Sequence, residues 1–228
     1  MGYTKDIIKG FSWLSAIRIA ARLITFLKTP LIARILTPSQ VGLFALASII
    51  LSFAETLTET GVNIILVQKK DEIDKYISTA WITSILRGIV ISFVIFSSAS
   101  FITSFFNFKD ALQLIQLISV VPFIRGFINP SVGKFIKDLN FNKEFIYRST
   151  SLVVEAIISV WLVLSFASPI SLVWGMIAGA VYEVILSYIM ARPFPKFEFR
   201  KSLFVEVVGK GKWLTATGIF SYMYQKKT

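Results

Sequence analysis

Arg18 and Arg22 stand four residues apart in an otherwise apolar run, and Lys28 follows in the same run. On a helix that spacing places both guanidinium groups on one face, one turn apart. A guanidinium keeps its charge at any physiological pH, and its fork of donors matches phosphate oxygens, so the pair can grip a phosphorylated anion. Glu55 and Glu59 repeat the spacing in the next apolar run. They can pair with those arginines, be displaced from them by an incoming anion, or bind a proton or Na⁺. Arg87 and Arg125 are further cations within apolar runs, and Arg125 is followed by Gly126, Asn129 and Pro130. A plainer reading stands beside each functional one: Arg18 can snorkel to the membrane interface, and Arg22 and the glutamates can form permanent ion pairs that fix helix register. Glu155 and Glu183 also lie in apolar runs, and the sequence leaves their direction open.

Other chemistries lack their residues. The 228-residue chain has no Cys and no His, which removes thiolate nucleophiles, imidazole bases, disulfides and the usual zinc and haem ligand sets. No metal or cofactor is expected beyond a coupling ion, H⁺ or Na⁺. The connections expected on the outer side hold no pair of carboxylates for acid–base work, so the chain reads as a non-enzyme.

The elements that must position these charges are membrane helices. Hydrophobic residues make up 55% of the chain and charged ones 16%, with a mean hydropathy of +0.71. Helices are predicted over residues 10–35, 41–67, 77–106, 112–136, 145–166 and 170–190, each long enough for about 30 Å of hydrocarbon. The fold class is therefore all-α: a polytopic six-helix transmembrane bundle. Thr37-Pro38-Ser39, Lys69-Lys70-Asp71-Glu72, residues 107–110, Lys137-Asp138 and Ser168-Pro169 supply the breaks. With the N-terminus in the cytoplasm, fifteen Lys and Arg fall on inner segments and only Arg34 and Lys109 on outer ones, which predicts an even number of spans in the cytoplasmic membrane. The net charge of +11 then follows from topology and from contact with anionic lipids, and nucleic acid is not an expected partner.

The first predicted helix carries three of its cations at mid-span positions, each costing about 2.5–3.5 kcal/mol if it faced lipid. Its charged side must therefore face a hydrated cavity or partners. Pro30, Pro122 and Pro130 are read as kinks or as bending points.

The stretch Ala33-Arg34-Ile35-Leu36-Thr37-Pro38-Ser39-Gln40-Val41-Gly42-Leu43-Phe44-Ala45-Leu46-Ala47 resembles the junction of the first two helices in oligosaccharide and polysaccharide flippases of the MOP exporter superfamily. Thr60-Gly61 with Val67-Gln68 is similar to that family's exit from the second helix, and Lys137-Asp138-Leu139-Asn140-Phe141 to its approach to the fifth. The resemblance implies two lobes around a central cavity and transfer of polyprenyl-diphosphate-linked glycan between leaflets. In that frame Arg18, Arg22, Lys28, Arg87 and Arg125 are candidate cavity cations for the diphosphate, with Glu55 and Glu59 as coupling or ion-pair residues. A multidrug or organic-cation antiporter of the same superfamily and a non-transport membrane scaffold are the alternatives.

A repeat supports the two-lobe frame. Asp6-Ile7-Ile8 followed by Trp13-Leu14-Ser15-Ala16 recurs as Glu206-Val207-Val208 followed by Trp213-Leu214-Thr215-Ala216, offset by 200 residues. Residues 1–190 are expected to form the first lobe, 191–212 a basic cytoplasmic connector, and 213–228 the start of an incomplete seventh helix. The expected partner is a missing second lobe or a second copy of the chain.

Overall fold

Backbone in hydrocarbon must close its own hydrogen bonds, and the apolar runs do so as helices. The computed structural model describes residues 2–57 and 73–205, with no strand among them. In order these residues form α1 (Gly2–Ala33), α2 (Pro38–Leu57), α3 (Ile73–Phe105), α4 (Leu112–Ile118), α5 (Val120–Arg125), α6 (Gly133–Lys137), α7 (Phe141–Phe166) and α8 (Ile170–Met190). Glu59, the motifs at residues 60–68, the second copy of the repeat and the expected seventh helix lie outside the described residues.

The bounds of α8 coincide with the predicted 170–190, while α1, α3 and α7 begin at least one turn earlier than expected. Thr37 and Gln40 close the start of α2 reciprocally: the Gln40 backbone N–H donates to Thr37 Oγ1 at 3.4 Å, and the Thr37 N–H donates to Gln40 Oε1 at 2.9 Å. At the far end of α7, Ala167 adopts φ 45° and its N–H donates to the Val163 carbonyl, which turns the chain into α8 within three residues.

The predicted helix over 112–136 is broken. Leu112–Arg125 and Pro130–Lys137 meet at 71°, because Pro130 cannot continue the ladder and Asn129 is extended at ψ 114°. Freed backbone groups at such a break need partners in a membrane, and neighbouring helices provide them. Trp81 Nε1 and the Tyr188 hydroxyl both donate to the Phe127 carbonyl, at 3.2 and 3.1 Å. The Asn129 N–H donates to Ser187 Oγ at 3.0 Å, and the fully buried Asn129 side chain donates to the carbonyls of Ala191 and Pro193 at 3.2 and 3.3 Å.

Four described helices are long and apolar enough to cross a bilayer: α2, α3, α7 and α8. The bent pair makes five if it counts as one span. Helix α1 is long enough at 32 residues, but Arg18, Arg22 and Lys28 interrupt its apolar run, so length and composition alone do not establish the predicted count of six. Inside the bundle, Leu51 of α2, Ile91 and Ile95 of α3, Ile115 and Ile118 of α4 and Val173 of α8 form one buried cluster. The outside is equally apolar, with Phe26, Phe101, Trp161 and Ile189 all largely exposed. That pattern buries nothing against water and suits a surface bathed in lipid.

One end of the bundle gathers the start of α3, the segment 129–137, the start of α7 and the residues after α8. Phe135, Tyr147 and Ala191 pack together there. The Lys196 N–H donates to Ser78 Oγ at 3.0 Å, and Phe197 stands edge-on to Trp81 with ring centroids 4.8 Å apart. The first part of the basic connector therefore lies along α3.

Candidate functional site

The break after Arg125 opens the interior. A cavity of about 510 Å³ lies among α2, α3, α5, α7 and α8, lined by Glu55, Arg87, Arg125, Arg148 and Glu183 together with Ser52, Ser84 and Gly88. Arg148 and Glu183 each stand seven residues in from the helix ends at Phe141 and Met190, about 10 Å at 1.5 Å per residue. The cavity is thus nearer the connector end than the opposite end.

Arg125 occupies the last position of α5, where the carbonyl end of a helix favours a cation. Its Nη1 donates to Glu55 Oε1 at 3.3 Å, and its Nε lies 3.5 Å from Glu183 Oε2. That Nε is buried and makes no hydrogen bond. One guanidinium therefore bridges carboxylates on α2 and α8. Arg87 approaches from α3, and its Nη2 donates to the Glu55 backbone carbonyl at 3.2 Å. Arg148 is held by Glu144, one turn earlier on α7, with Nε 2.7 Å from Oε1; the Glu144 side chain is only 4% exposed. A buried carboxylate bonded to a guanidinium aims that group and leaves its outer donors for a ligand.

Lys28 reaches across from α1 to α7, where Nζ donates to Glu155 Oε1 at 3.2 Å. Gly179 of α8 makes room for this pair: a Cβ there would come within 2.8 Å of the Glu155 Cβ. Lys28 is thus an interhelical partner and does not line the cavity. In a double-mutant cycle, Lys28→Met and Glu155→Gln should show a coupling of about 0.5–1.5 kcal/mol in thermal unfolding in detergent. Additive effects would reduce the contact to proximity.

Of the residues singled out in the sequence, Arg87, Arg125 and Glu55 come together in the cavity. Arg18 and Arg22 are exposed on α1 and do not line it, and Glu55 pairs with Arg125 rather than with either of them. Arg148, Glu183, Glu144 and Glu155 are additions. The Glu144/Arg148 spacing of four was the available sign that α7 begins at Phe141, which carries Arg148 from the expected interface into the bundle.

The described residues thus form a polytopic helical membrane bundle whose broken helix borders an interior cavity lined by three arginines and two glutamates. Among known sequences, the chain belongs to the family described as polysaccharide biosynthesis protein, whose profile matches residues 31–228. It is 21% identical over 225 residues to the lipopolysaccharide biosynthesis protein WzxC of Escherichia coli (strain K12), covering 98% of this chain and 46% of that protein. It is 20% identical over 196 residues to the succinoglycan biosynthesis transport protein ExoT of Rhizobium meliloti (strain 1021), covering 86% of this chain and 40% of that one. With the teichuronic acid biosynthesis protein TuaB of Bacillus subtilis (strain 168) it shares 22% identity over 210 residues, 92% of this chain and 40% of that one. The chain spans less than half the length of these curated relatives. No solved structure matches it.

Proposed function

We propose that the chain moves polyprenyl-diphosphate-linked oligosaccharide across the cytoplasmic membrane by alternating access, with Arg87, Arg125 and Arg148 holding the diphosphate. No bond is made or broken in this step. The observation that carries the reading is the convergence of three guanidinium groups, from three helices, on one interior cavity. Membership of the polysaccharide biosynthesis family supports the glycan side of it. A volume of about 510 Å³ accommodates a diphosphate with an adjoining sugar but not a long lipid or a whole oligosaccharide, so the polyprenyl tail stays in lipid and the rest of the glycan extends beyond the pocket.

The cations after α8 and around α6 gather at the end nearer the cavity, which supports a cytoplasmic N-terminus and an inward-facing pocket. Arg18 and Arg22, exposed on α1, are proposed as cations that the ligand meets outside this pocket. The second lobe of the transporter, or a second copy of the chain, is proposed to complete the pathway. Arginines outnumber carboxylates on the lining, which disfavours an organic cation as cargo.

The test replaces Arg87 and Arg148 singly by Gln at the chromosomal locus. Each variant loses a charge-assisted contact of about 1.5–3 kcal/mol, so surface polysaccharide should fall roughly ten- to a hundredfold while diphosphate-linked glycan accumulates on the inner leaflet. Normal export from both variants, at normal protein levels, would remove the cavity from the pathway.

A further inference from the structure

The apolar run of α8 ends at Met190, and Pro193 and Pro195 cannot extend the helix, so residues 191–200 leave it without helical structure. This stretch mixes charge with aromatic rings. Arg192, Lys196, Arg200 and Lys201 are exposed, and Phe194, Phe197 and Phe199 stand among them at 45%, 83% and 50% exposure. Glu198 is the one carboxylate in residues 191–205, so four cations less one acid leave a net charge of +3.

The segment is held against the bundle at both ends. The Pro193 carbonyl accepts from Ser131 Oγ at 2.7 Å and from the Asn129 side-chain amide at 3.3 Å. Further along, the backbone N–H groups of Lys196 and Arg200 donate to Ser78 Oγ at 3.0 Å and Thr79 Oγ1 at 3.4 Å. Ser78 and Thr79 lie in the first turn of the apolar span Tyr76–Phe105. Trp81, edge-on to Phe197, lies five residues into that span, about 7–8 Å along the helix. The segment is thus pinned at the depth where hydrocarbon gives way to headgroups. Its backbone is spent on the bundle, and its exposed side chains are left to the surroundings.

Water is a poor neighbour for three such rings, and hydrocarbon is a poor one for four cations. The headgroup boundary suits both, because aromatic rings settle at that level and cations meet phosphates there. Arg192 illustrates the fit: its guanidinium lies 4.0 Å over the Phe194 ring, and stacking through its face leaves the N–H donors at its edge for phosphate oxygens. We propose that residues 192–204 form a docking surface for anionic phospholipids of the bilayer at this end of the bundle, with the cations on the phosphates and the rings at the acyl boundary. The contact does not depend on the cargo of the cavity. A pinned backbone makes it tighter than a mobile basic tail of the same charge, because little remains to be ordered when lipid binds.

The test exploits the absence of Cys from the chain: Ser202→Cys, at an exposed position, takes a single fluorescent dye. The labelled chain is placed in phosphatidylcholine nanodiscs that contain a small fraction of either phosphatidylglycerol or phosphatidylcholine bearing a nitroxide near the top of an acyl chain. Both lipids should quench the dye. The glycerol lipid should reach a given quenching at about one-fifth, or less, of the fraction needed with the choline lipid. The preference should disappear at about 1 M salt, where the screening length is about 3 Å, and in the variant Arg192→Gln/Lys196→Gln/Arg200→Gln/Lys201→Gln. The salt comparison decides the matter if that variant folds poorly. Equal quenching by the two lipids overturns the proposal, as does a preference untouched by salt and by the variant. A dye quenched by aqueous iodide and by neither lipid also overturns it, and gives the surface to water or to a protein partner.

Discussion

Arg125→Leu should lower surface polysaccharide by more than about a hundredfold and also destabilise the bundle by about 3–5 kcal/mol. Both effects have one origin. Arg125 is the sole side chain among the described residues that is in ion-pair contact with both Glu55 and Glu183, and deleting it takes from each carboxylate an ion pair inside the bundle. Transport falls because the same guanidinium lines the cavity proposed to hold the diphosphate. The two consequences separate in the triple variant Arg125→Leu/Glu55→Gln/Glu183→Gln, which removes the carboxylate charges that Arg125 offset. It should regain most of the lost thermal stability in detergent and none of the export. If export returns with stability, Arg125 is a structural pin and the ligand is held elsewhere. Arg125→Lys keeps the charge but loses the planar fork, and is expected to fall between the two.

The helical architecture was legible because its signal is long-range and simple. A run of twenty or so apolar residues has few alternatives in a bilayer, and α8 was bounded to the residue by Ser168-Pro169 and by the loss of apolar character after Met190. The break in the fourth helix was half legible. Pro122 and Pro130 announced a kink, but the 71° bend depends on Asn129, Trp81, Tyr188 and Ser187 meeting the freed groups from other helices, which no local pattern encodes. Charges inside apolar runs pointed to Arg87, Arg125 and Glu55, which the structure brings to one cavity, yet not to their partners. Lys28 and Glu155 lie 127 positions apart, and Arg125 and Glu55 lie 70 apart. One stripe was readable in hindsight: Ser171, Gly175, Gly179, Glu183 and Ser187 recur every four residues along α8. Small and polar side chains at that period mark the face a membrane helix turns to its neighbours. The stripe points Glu183 inward without any structure.

Close helix contact also decides whether the arginines converge at all, and Gly88→Val should show it. Helix α3 crosses the 122–126 segment at Gly88, where a Cβ would stand 2.5 Å from the Pro122 carbonyl oxygen and 3.3 Å from the Gly126 Cα. Neither obstacle is the end of a flexible side chain, so relief requires one helix to move away from the other. Arg87 precedes Gly88 on α3, and Arg125 precedes Gly126 on the facing segment, so that movement widens the cavity between these two of its three arginines. A cost of about 2–3 kcal/mol is expected for overpacking of this kind, read as an earlier thermal transition in detergent. Export should fall with it even at normal protein levels, because a diphosphate cannot bridge guanidinium groups held too far apart. Gly126→Ala meets the Ser84 carbonyl oxygen at 3.0 Å and the Ile85 Cα at 3.1 Å, a milder clash, and should produce the same two losses at smaller size. The ordering is the sensitive part of the prediction. Were Gly88→Val to keep the unaltered transition and export while Gly126→Ala lost both, the contact between α3 and the broken helix would not be what sets the distance between the arginines.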